Sequence, residues 1–218
     1  MNEIEKVMNN TANKKTTSPN KLFSPKPLIL STDKVILRPL SLEHVDDFYA
    51  AGAFPEIWRW SLPDKCTSRE VTKTWLQYSE KMMAQGEHVV FAIFDKASDK
   101  FVGSTRFCSI KPDDRNIEIG FTFITPKYQQ TYINTHAKYC LLKHAFEDLN
   151  AIRVEFKTHE DNKKSRKAIS RLGATFEGIL RNQRILSDGS YRNTAIFSII
   201  ESEWTAVKLG LENKMARL

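Results

Sequence analysis

Glu118, Asn162 and Ser165, with the loop from Tyr128 to Asn134 lying between the first two, have the residue types and spacing best suited to chemistry in this chain. Glu118 sits in the run Ile117-Glu118-Ile119-Gly120-Phe121-Thr122-Phe123. The odd positions are all large and apolar, so alternation predicts a strand that turns Glu118, Gly120 and Thr122 to the opposite face. A carboxylate, a glycine and a threonine make poor core but suit the floor of a cleft, where the carboxylate can take a proton. The plainer alternative is an exposed strand glutamate that adds only solubility. The loop Tyr128-Gln129-Gln130-Thr131-Tyr132-Ile133-Asn134 opens a helix predicted to run to about Leu149. Backbone N–H groups at such a helix start point at bound anions, and the helix dipole adds attraction. Thr131 and Asn134 are also good capping residues, so an ordinary capped start is the competing reading. Asp161 or Asn162 reads as the N-cap of a shorter helix that carries Ser165 and ends at Gly173.

These residues need a frame to position them, and the remaining sequence supplies one. Val35 to Leu40 reads as an opening strand, and Ser41 caps a helix through His44, Phe48 and Ala51. Thr67-x-x-Glu70 is a capping box for a helix that buries the face carrying Val71, Trp75, Tyr78 and Met82. Val89–Phe94 and Phe101–Phe107 are strand-like runs joined by the hairpin-like connection Lys96-Ala97-Ser98-Asp99. Ile152-Arg153-Val154-Glu155-Phe156 alternates as a strand should, and Asp188-Gly189 marks a second hairpin. From Ser202 onward the chain reads as helix, and no internal repeat is present.

With 218 residues and 41% hydrophobic side chains, the chain can build one well-packed domain. Residues 1–27 stand apart. They are rich in Asn, Lys, Thr and Ser, hold three prolines, and carry a net charge of +3 out of +7. That composition predicts a disordered basic tail, leaving 28–218 as the folded domain. No signal-like or membrane-spanning apolar run is expected. Cys66, Cys108 and Cys140 are odd in number and widely spaced, which suits a reducing cytoplasm. His136 and Cys140 lie four apart on the long helix, but no further ligands cluster near them, so no metal is expected. The net charge also fits an acidic partner, and Lys163-Lys164-x-Arg166-Lys167 motivates an RNA- or ribosome-binding alternative. That run lacks the aromatics that stack on bases, so nucleic acid is disfavoured.

Several phrases together resemble the GNAT superfamily, and in detail its RimJ/RimL-like branch: Ile36-Leu37-Arg38-Pro39-Leu40, Val102-Gly103-Ser104-Thr105-Arg106-Phe107, Ile117 to Phe123, Asn162-x-x-Ser165, and Leu172-Gly173-Ala174 before Phe176-Glu177-Gly178. The resemblance spans roughly Ile29 to Ile200. It implies an α/β (α+β) single GNAT domain, with a mixed, mostly antiparallel sheet flanked by helices and a splayed central pair between the Ile117 and Ile152 strands. It also implies acetyl transfer from acetyl-CoA to a primary amine by direct attack in a ternary complex. The amine acceptor is, in falling order of preference, a protein N-terminus, a polyamine, an amino acid or an aminoglycoside. A non-catalytic acyl-CoA-binding module is the alternative, and either a monomer or a homodimer is compatible.

The same resemblance assigns roles to residues. The loop Gln129, Gln130, Thr131, Tyr132, Ile133 and Asn134 would hold the cofactor's phosphates. The usual signature there is Gln/Arg-x-x-Gly-x-Gly/Ala. This chain has Gln129 at its first position but Tyr132 and Asn134 where small residues are expected, and Gln130 replaces another common glycine. The stretch Phe123, Ile124 and Thr125 would offer a backbone N–H to the thioester carbonyl and later the oxyanion. Asn162 would bond the pantetheine arm, Ser165 would protonate the departing thiolate, and Glu118 would act as general base. Trp58, Trp60 and Arg106 would line the amine acceptor's pocket, although such aromatics also seal core edges.

Overall fold

The computed structural model describes residues 23–61, 63–186 and 188–217. Eight strands form one sheet in the order β1-β2-β3-β4-β5-β6-β8-β7. They are β1 Leu30–Ser31, β2 Val35–Pro39, β3 Val89–Asp95, β4 Lys100–Lys111, β5 Asn116–Ile124, β6 Arg153–His159, β7 Thr175–Ile185 and β8 Tyr191–Ile200. Every neighbouring pair is antiparallel except β5–β6. Helices α1 Val45–Gly52, α2 Pro55–Trp58 and α3 Arg69–Ala84 come before the β3–β4 hairpin, while α4 Tyr132–Lys143, α5 Lys163–Ser170 and α6 Trp204–Met215 come after β5, β6 and β8. The mixed α/β architecture expected from the sequence is therefore present.

Both faces of the sheet are covered, which explains why β3 is a continuous apolar run with every residue buried. On one face α4 and α6 set Ile133, Ala137, Leu141, Trp204 and Leu211 into the larger core. On the other, Phe48, Ala51, Trp58 and Leu76 of α1–α3 pack on Val90, Ala92, Phe94 and Phe123. Phe123 lies 4.9 Å from Phe48 and 5.2 Å from Trp58 between ring centroids. Each such aromatic pair adds about 0.5–1.5 kcal/mol beyond its buried area. Gly103 on β4 is required by close approach, because a Cβ there would run into the main-chain carbonyl of Phe123.

Three local expectations shift, the first being that α3 buries Thr72, Leu76 and Ser79 while Val71 and Tyr78 of the expected face are exposed. The cap of α3 is Ser68, whose hydroxyl accepts from the Val71 N–H at 3.2 Å, one residue beyond the expected Thr67. Residues 1–22 of the expected basic tail lie outside the described residues. Phe23, also inside that stretch, is 0% exposed and belongs to the larger core. One aromatic among lysines, serines and prolines is enough to anchor a chain, and average composition hides it.

Candidate active site

The site begins where two strands part. β5 and β6 pair only at Asn116↔Arg153, Ile117↔Val154 and Glu118↔Glu155, and beyond Glu118 the rest of β5 has no strand on that side among the described residues. Just past this fork β5 carries an extra residue. Arg106 pairs with Gly120, but Ser104 pairs with Phe123, so the bulge falls at Phe121 and Thr122. Phe121 takes a left-handed φ of 49°, a strain of roughly 1–2 kcal/mol for a residue with a side chain.

The bulge corrects the alternation expected from the sequence. Glu118 and Gly120 do share the face toward α3, but Phe121 joins them and is 47% exposed. Thr122 turns instead toward α4. There its hydroxyl meets Thr105 Oγ1 at 2.8 Å and accepts from Lys138 Nζ at 2.5 Å. Lys138 also donates to Thr105 at 3.1 Å and has no carboxylate partner among the described residues. Burial pushes this amine down to about 7, with Cys108 acting weakly the other way.

Of the three residues expected to offer a backbone donor, two are engaged elsewhere. The Thr125 N–H donates to Val102 O at 2.9 Å and its hydroxyl to Ala51 O at 3.0 Å. Strand alternation turns the Phe123 N–H toward β4 in the same way, and its ring fills the second core. Ile124 faces the fork, and its carbonyl accepts from Gln129 Nε2 at 2.7 Å. The same alternation turns the Thr122 N–H to the fork as well. Sequence reasoning missed Thr122, because recognising it requires the bulge and Phe121 gives no left-handed signal.

Beyond β5, a single 3-10 turn over Pro126–Tyr128 leads to the mouth of α4. Gln130 adopts a left-handed φ of 62°, the conformation that makes glycine common at such a point. Thr131 caps the helix, accepting from Ile133 N at 3.4 Å and donating to Tyr128 O at 2.7 Å. The N–H groups of Gln130, Thr131 and Tyr132 donate to nothing among the described residues. Tyr132 does not block them. Its hydroxyl reaches away to Asp95 Oδ1 at 2.6 Å, beneath Lys34. Ile133 is a core side chain and Asn134 is half-buried on the first turn.

The second helix mouth follows β6. Asn162 caps α5, its Oδ1 accepting from Ser165 N at 3.0 Å, so its amide NH₂ remains free to donate. Ser165 Oγ makes no hydrogen bond among the described residues. Lys164 Nζ donates to Gln129 Oε1, so the two helix mouths stand beside one another.

On the face toward α3, Glu118 Oε2 accepts from Lys157 Nζ at 2.9 Å and Ser109 Oγ at 3.1 Å. Lys157 also bonds Glu155 at 2.9 Å. Burial opposes the Glu155 charge, but hydrogen bonds from Lys157 and Arg153 outweigh it and pull the carboxyl down to about 2. Of the expected wall, only Trp60 stands at the rim, half-buried with its ring 4.7 Å from that of His159 at the end of β6. Trp58 is a core residue, its Nε1 donating to Gly52 O at 2.8 Å. Arg106 is 1% exposed, lying 4.7 Å from both the Trp75 and Phe121 rings. It bonds His88 Nδ1 and Ser79 Oγ, which fixes it under the wall rather than in it. Burial, reinforced by Arg106, pushes His88 down to about 4 and keeps it neutral. On α4, His136 Nδ1 bonds Thr32 Oγ1 at 2.8 Å while Cys140 lies in the core, and among the described residues no three metal-ligating side chains gather.

A forked parallel pair, a bulge at the fork and two helix mouths beyond it define an acyl-transferase type of fold and site. The chain belongs to the acetyltransferase (GNAT) domain family, which it matches over residues 34–175. It is 24% identical over 175 residues to the uncharacterized N-acetyltransferase p20 of Bacillus licheniformis, covering 80% of this chain and 97% of that one. A GCN5-related N-acetyltransferase from Brucella melitensis superposes with a TM-score of 0.82 at 30% identity, covering 88% of this chain and 87% of the other. Mycobacterium smegmatis RimJ, solved with CoA-disulfide, gives a TM-score of 0.73 at 19% identity over 88% of this chain and 95% of its own. Acetyl transfer with acetyl-CoA as co-substrate is supported on these grounds.

Proposed function

We propose that this protein transfers an acetyl group from acetyl-CoA to a primary amine by direct attack in a ternary complex. The observation that carries the reading is the fork beyond Glu118, onto which the Thr122 and Ile124 amides turn and beside which both helix mouths open. The free amides of Gln130, Thr131 and Tyr132 and the α4 dipole suit the phosphates, and Asn162 suits the pantetheine amides. Tyr132 replaces a small residue without obstructing that cradle, because its side chain leaves toward Asp95.

In the chemical step, the neutral amine nitrogen attacks the thioester carbon. Its C–N bond forms as the carbonyl π pair moves to oxygen, where the Thr122 and Ile124 N–H groups stabilise the charge. A preorganised donor of this kind contributes about 3 kcal/mol. Glu118 takes the proton released by the amine, directly or through water. Collapse of the intermediate breaks C–S, and the thiolate leaves with a proton from Ser165 Oγ, which water restores as Glu118 releases the proton it took. Lys157 holds Glu118 in place, its Nζ 2.9 Å from Oε2.

The amine acceptor is best sought among protein N-termini. The RimJ/RimL-like sequence phrases support this, and one neighbour in fold is described as a ribosomal L7/L12 alpha-N-protein acetyltransferase, at 21% identity. The catalytic domain would begin with Phe23, which its core encloses, rather than at residue 28. Three free, buried cysteines favour a cytoplasmic setting, and no helix among the described residues is long and apolar enough to cross a membrane. The test is calorimetric titration with acetyl-CoA, followed by a thiol-release assay over a panel of peptides and small amines. Acetyl-CoA binding with turnover of at least one amine supports the reading. Binding without turnover of any amine refutes it in favour of a sensing module.

A further inference from the structure

On the sheet face that carries Glu118, Lys65, Arg106, Arg184 and Arg192 have no ion-pair partner among the described residues. Cross-strand register puts the three arginines on one face. Arg106 lies opposite Gly120, two residues from Glu118. β6 turns Lys157 and His159 to that face, His159 pairs with Thr194, and Arg192 stands two residues farther along β8. Arg184 of β7 lies directly opposite Arg192. Like charges opposed across a strand pair are destabilising, so this pairing works against the fold.

Arg192 is nine-tenths buried. Its Nε donates to Thr194 Oγ1 at 3.1 Å, while its two Nη groups bond nothing among the described residues yet stay open to solvent. Burial and then Arg184 depress its guanidinium, whereas Glu118 raises it, so Arg192 and Glu118 feel one another. Lys65, from the segment that covers this face, is depressed by burial and then by Arg184 and Arg106. The carboxylates around the face are already engaged: Lys157 holds Glu118 and Glu155, Arg153 holds Glu155 and Glu177, and Asp64, beside Lys65, accepts from the Cys66 N–H. An excess of positive charge beside a carboxylate would repel a simple polyamine.

We propose that the amine acceptor carries a carboxylate, which the free fork of Arg192 binds with support from Arg184 and Lys65 while Glu118 faces the amine. This rests on the amine-acetylation reading above and specifies its substrate class. A guanidinium with two unpartnered Nη groups pairs with a carboxylate through two parallel hydrogen bonds. The cofactor's phosphates do not account for these cations, because the mouth of α4 lies with the helix layer on the other side of the sheet. The carboxylate can belong to a free amino acid or to an acidic side chain near a peptide's N-terminus.

The experiment compares kcat/KM for matched pairs of amines that differ only in a carboxylate or its carboxamide. One arm uses free amino acids and the other uses peptides with Asp or Asn at the second position. The carboxylate member of one arm is expected to be preferred by roughly tenfold or more, the worth of a desolvated charge-assisted pair. R192Q and R184Q should each shrink that ratio and leave the acetyl-CoA dissociation constant unchanged. Because R192Q removes one member of an opposed like-charge pair, its melting temperature should hold or rise, whereas loss of a structural arginine would lower it. Equal rates within both arms, or a preference for the carboxamides, overturns the proposal. If no amine turns over at all, the transferase reading fails separately. The carboxylate site is then read by calorimetry, with an N-acetylated amino acid against its carboxamide, and equal affinities overturn it.

Discussion

Lys138 gives the most quantitative test of the structure. Its ammonium would sit beneath the β5 bulge with two threonine hydroxyls and no carboxylate, in a site that brings it down to about 7. An unfolded lysine titrates near 10.4. Between those values the unfolded chain binds a proton that the folded chain has released, so stability must rise with pH. The limiting slope is about 1.4 kcal/mol per pH unit for one proton. Half of the folded molecules are already deprotonated at pH 7, so the gain from pH 7 to 8.5 integrates to roughly 1.6 kcal/mol. Lys138→Met keeps the length of the side chain and removes the titration, and Thr105 and Thr122 can still bond each other across 2.8 Å.

Urea unfolding followed by the fluorescence of the four tryptophans, at intervals from pH 7 to 8.5, measures the difference. The variant should be the more stable protein at pH 7, and its advantage should shrink by roughly 1.6 kcal/mol by pH 8.5. Other groups that titrate in this window cancel in the comparison of the two proteins. Stability curves that stay parallel across the window would refute the reasoning, because Lys138 would then titrate alike in both states.

Glu118→Gln keeps the contacts with Lys157 and Ser109 but cannot take a proton, so turnover should fall about 100-fold or more with partial recovery at higher pH. Wild-type rates at neutral pH would return Glu118 to a structural role. Gln130→Gly relieves a left-handed backbone, so the urea midpoint should rise by the equivalent of about 1 kcal/mol without weakening acetyl-CoA binding. A fall in stability would show that the Gln130 side chain is needed. Phe23→Ala should cost about 3–5 kcal/mol, read as a lower melting temperature, because the ring is fully enclosed. An unchanged melt would place Phe23 outside the cooperative core.

The sequence disclosed the elements whose signals are local. Asp188-Gly189 marks the β7–β8 turn, where Gly189 takes a φ of 82°. Asn162 caps α5 because its short amide reaches the Ser165 N–H three residues on. The bulge was invisible because Phe121, not glycine or asparagine, takes the left-handed turn, and surrounding pairings impose that conformation. Arg106 read as a pocket cation because burial without a carboxylate is unusual, and the Trp75 and Phe121 faces that stabilise it come from elements distant in sequence. For Lys138 a signal did exist. Helical spacing puts it on one side with Leu141 and Leu142, both buried, which leaves an ammonium on a core face.

The two halves of the proposed site differ in what they are made of, and that difference governs how legible each can be. Acetyl-CoA is offered main-chain groups: the Thr122 and Ile124 amides at the fork and the N–H groups at the mouth of α4. Main-chain donors persist under side-chain replacement as long as the backbone path is kept, so Gln130, Tyr132 and Asn134 can stand where glycine is usual. Tyr132 demonstrates the principle by directing its ring to Asp95 and leaving the amides free. The proposed amine would instead meet side chains, Glu118 on β5, Lys157 on β6, and Arg192 and Arg184 from the last hairpin. Each of those can change without disturbing the fork, so acceptor choice can diverge while the acetyl-CoA half stays constant. Arg184 and Arg192 are the sharpest place to look for such a choice in this chain, because like charges held face to face work against the fold and call for a compensating partner.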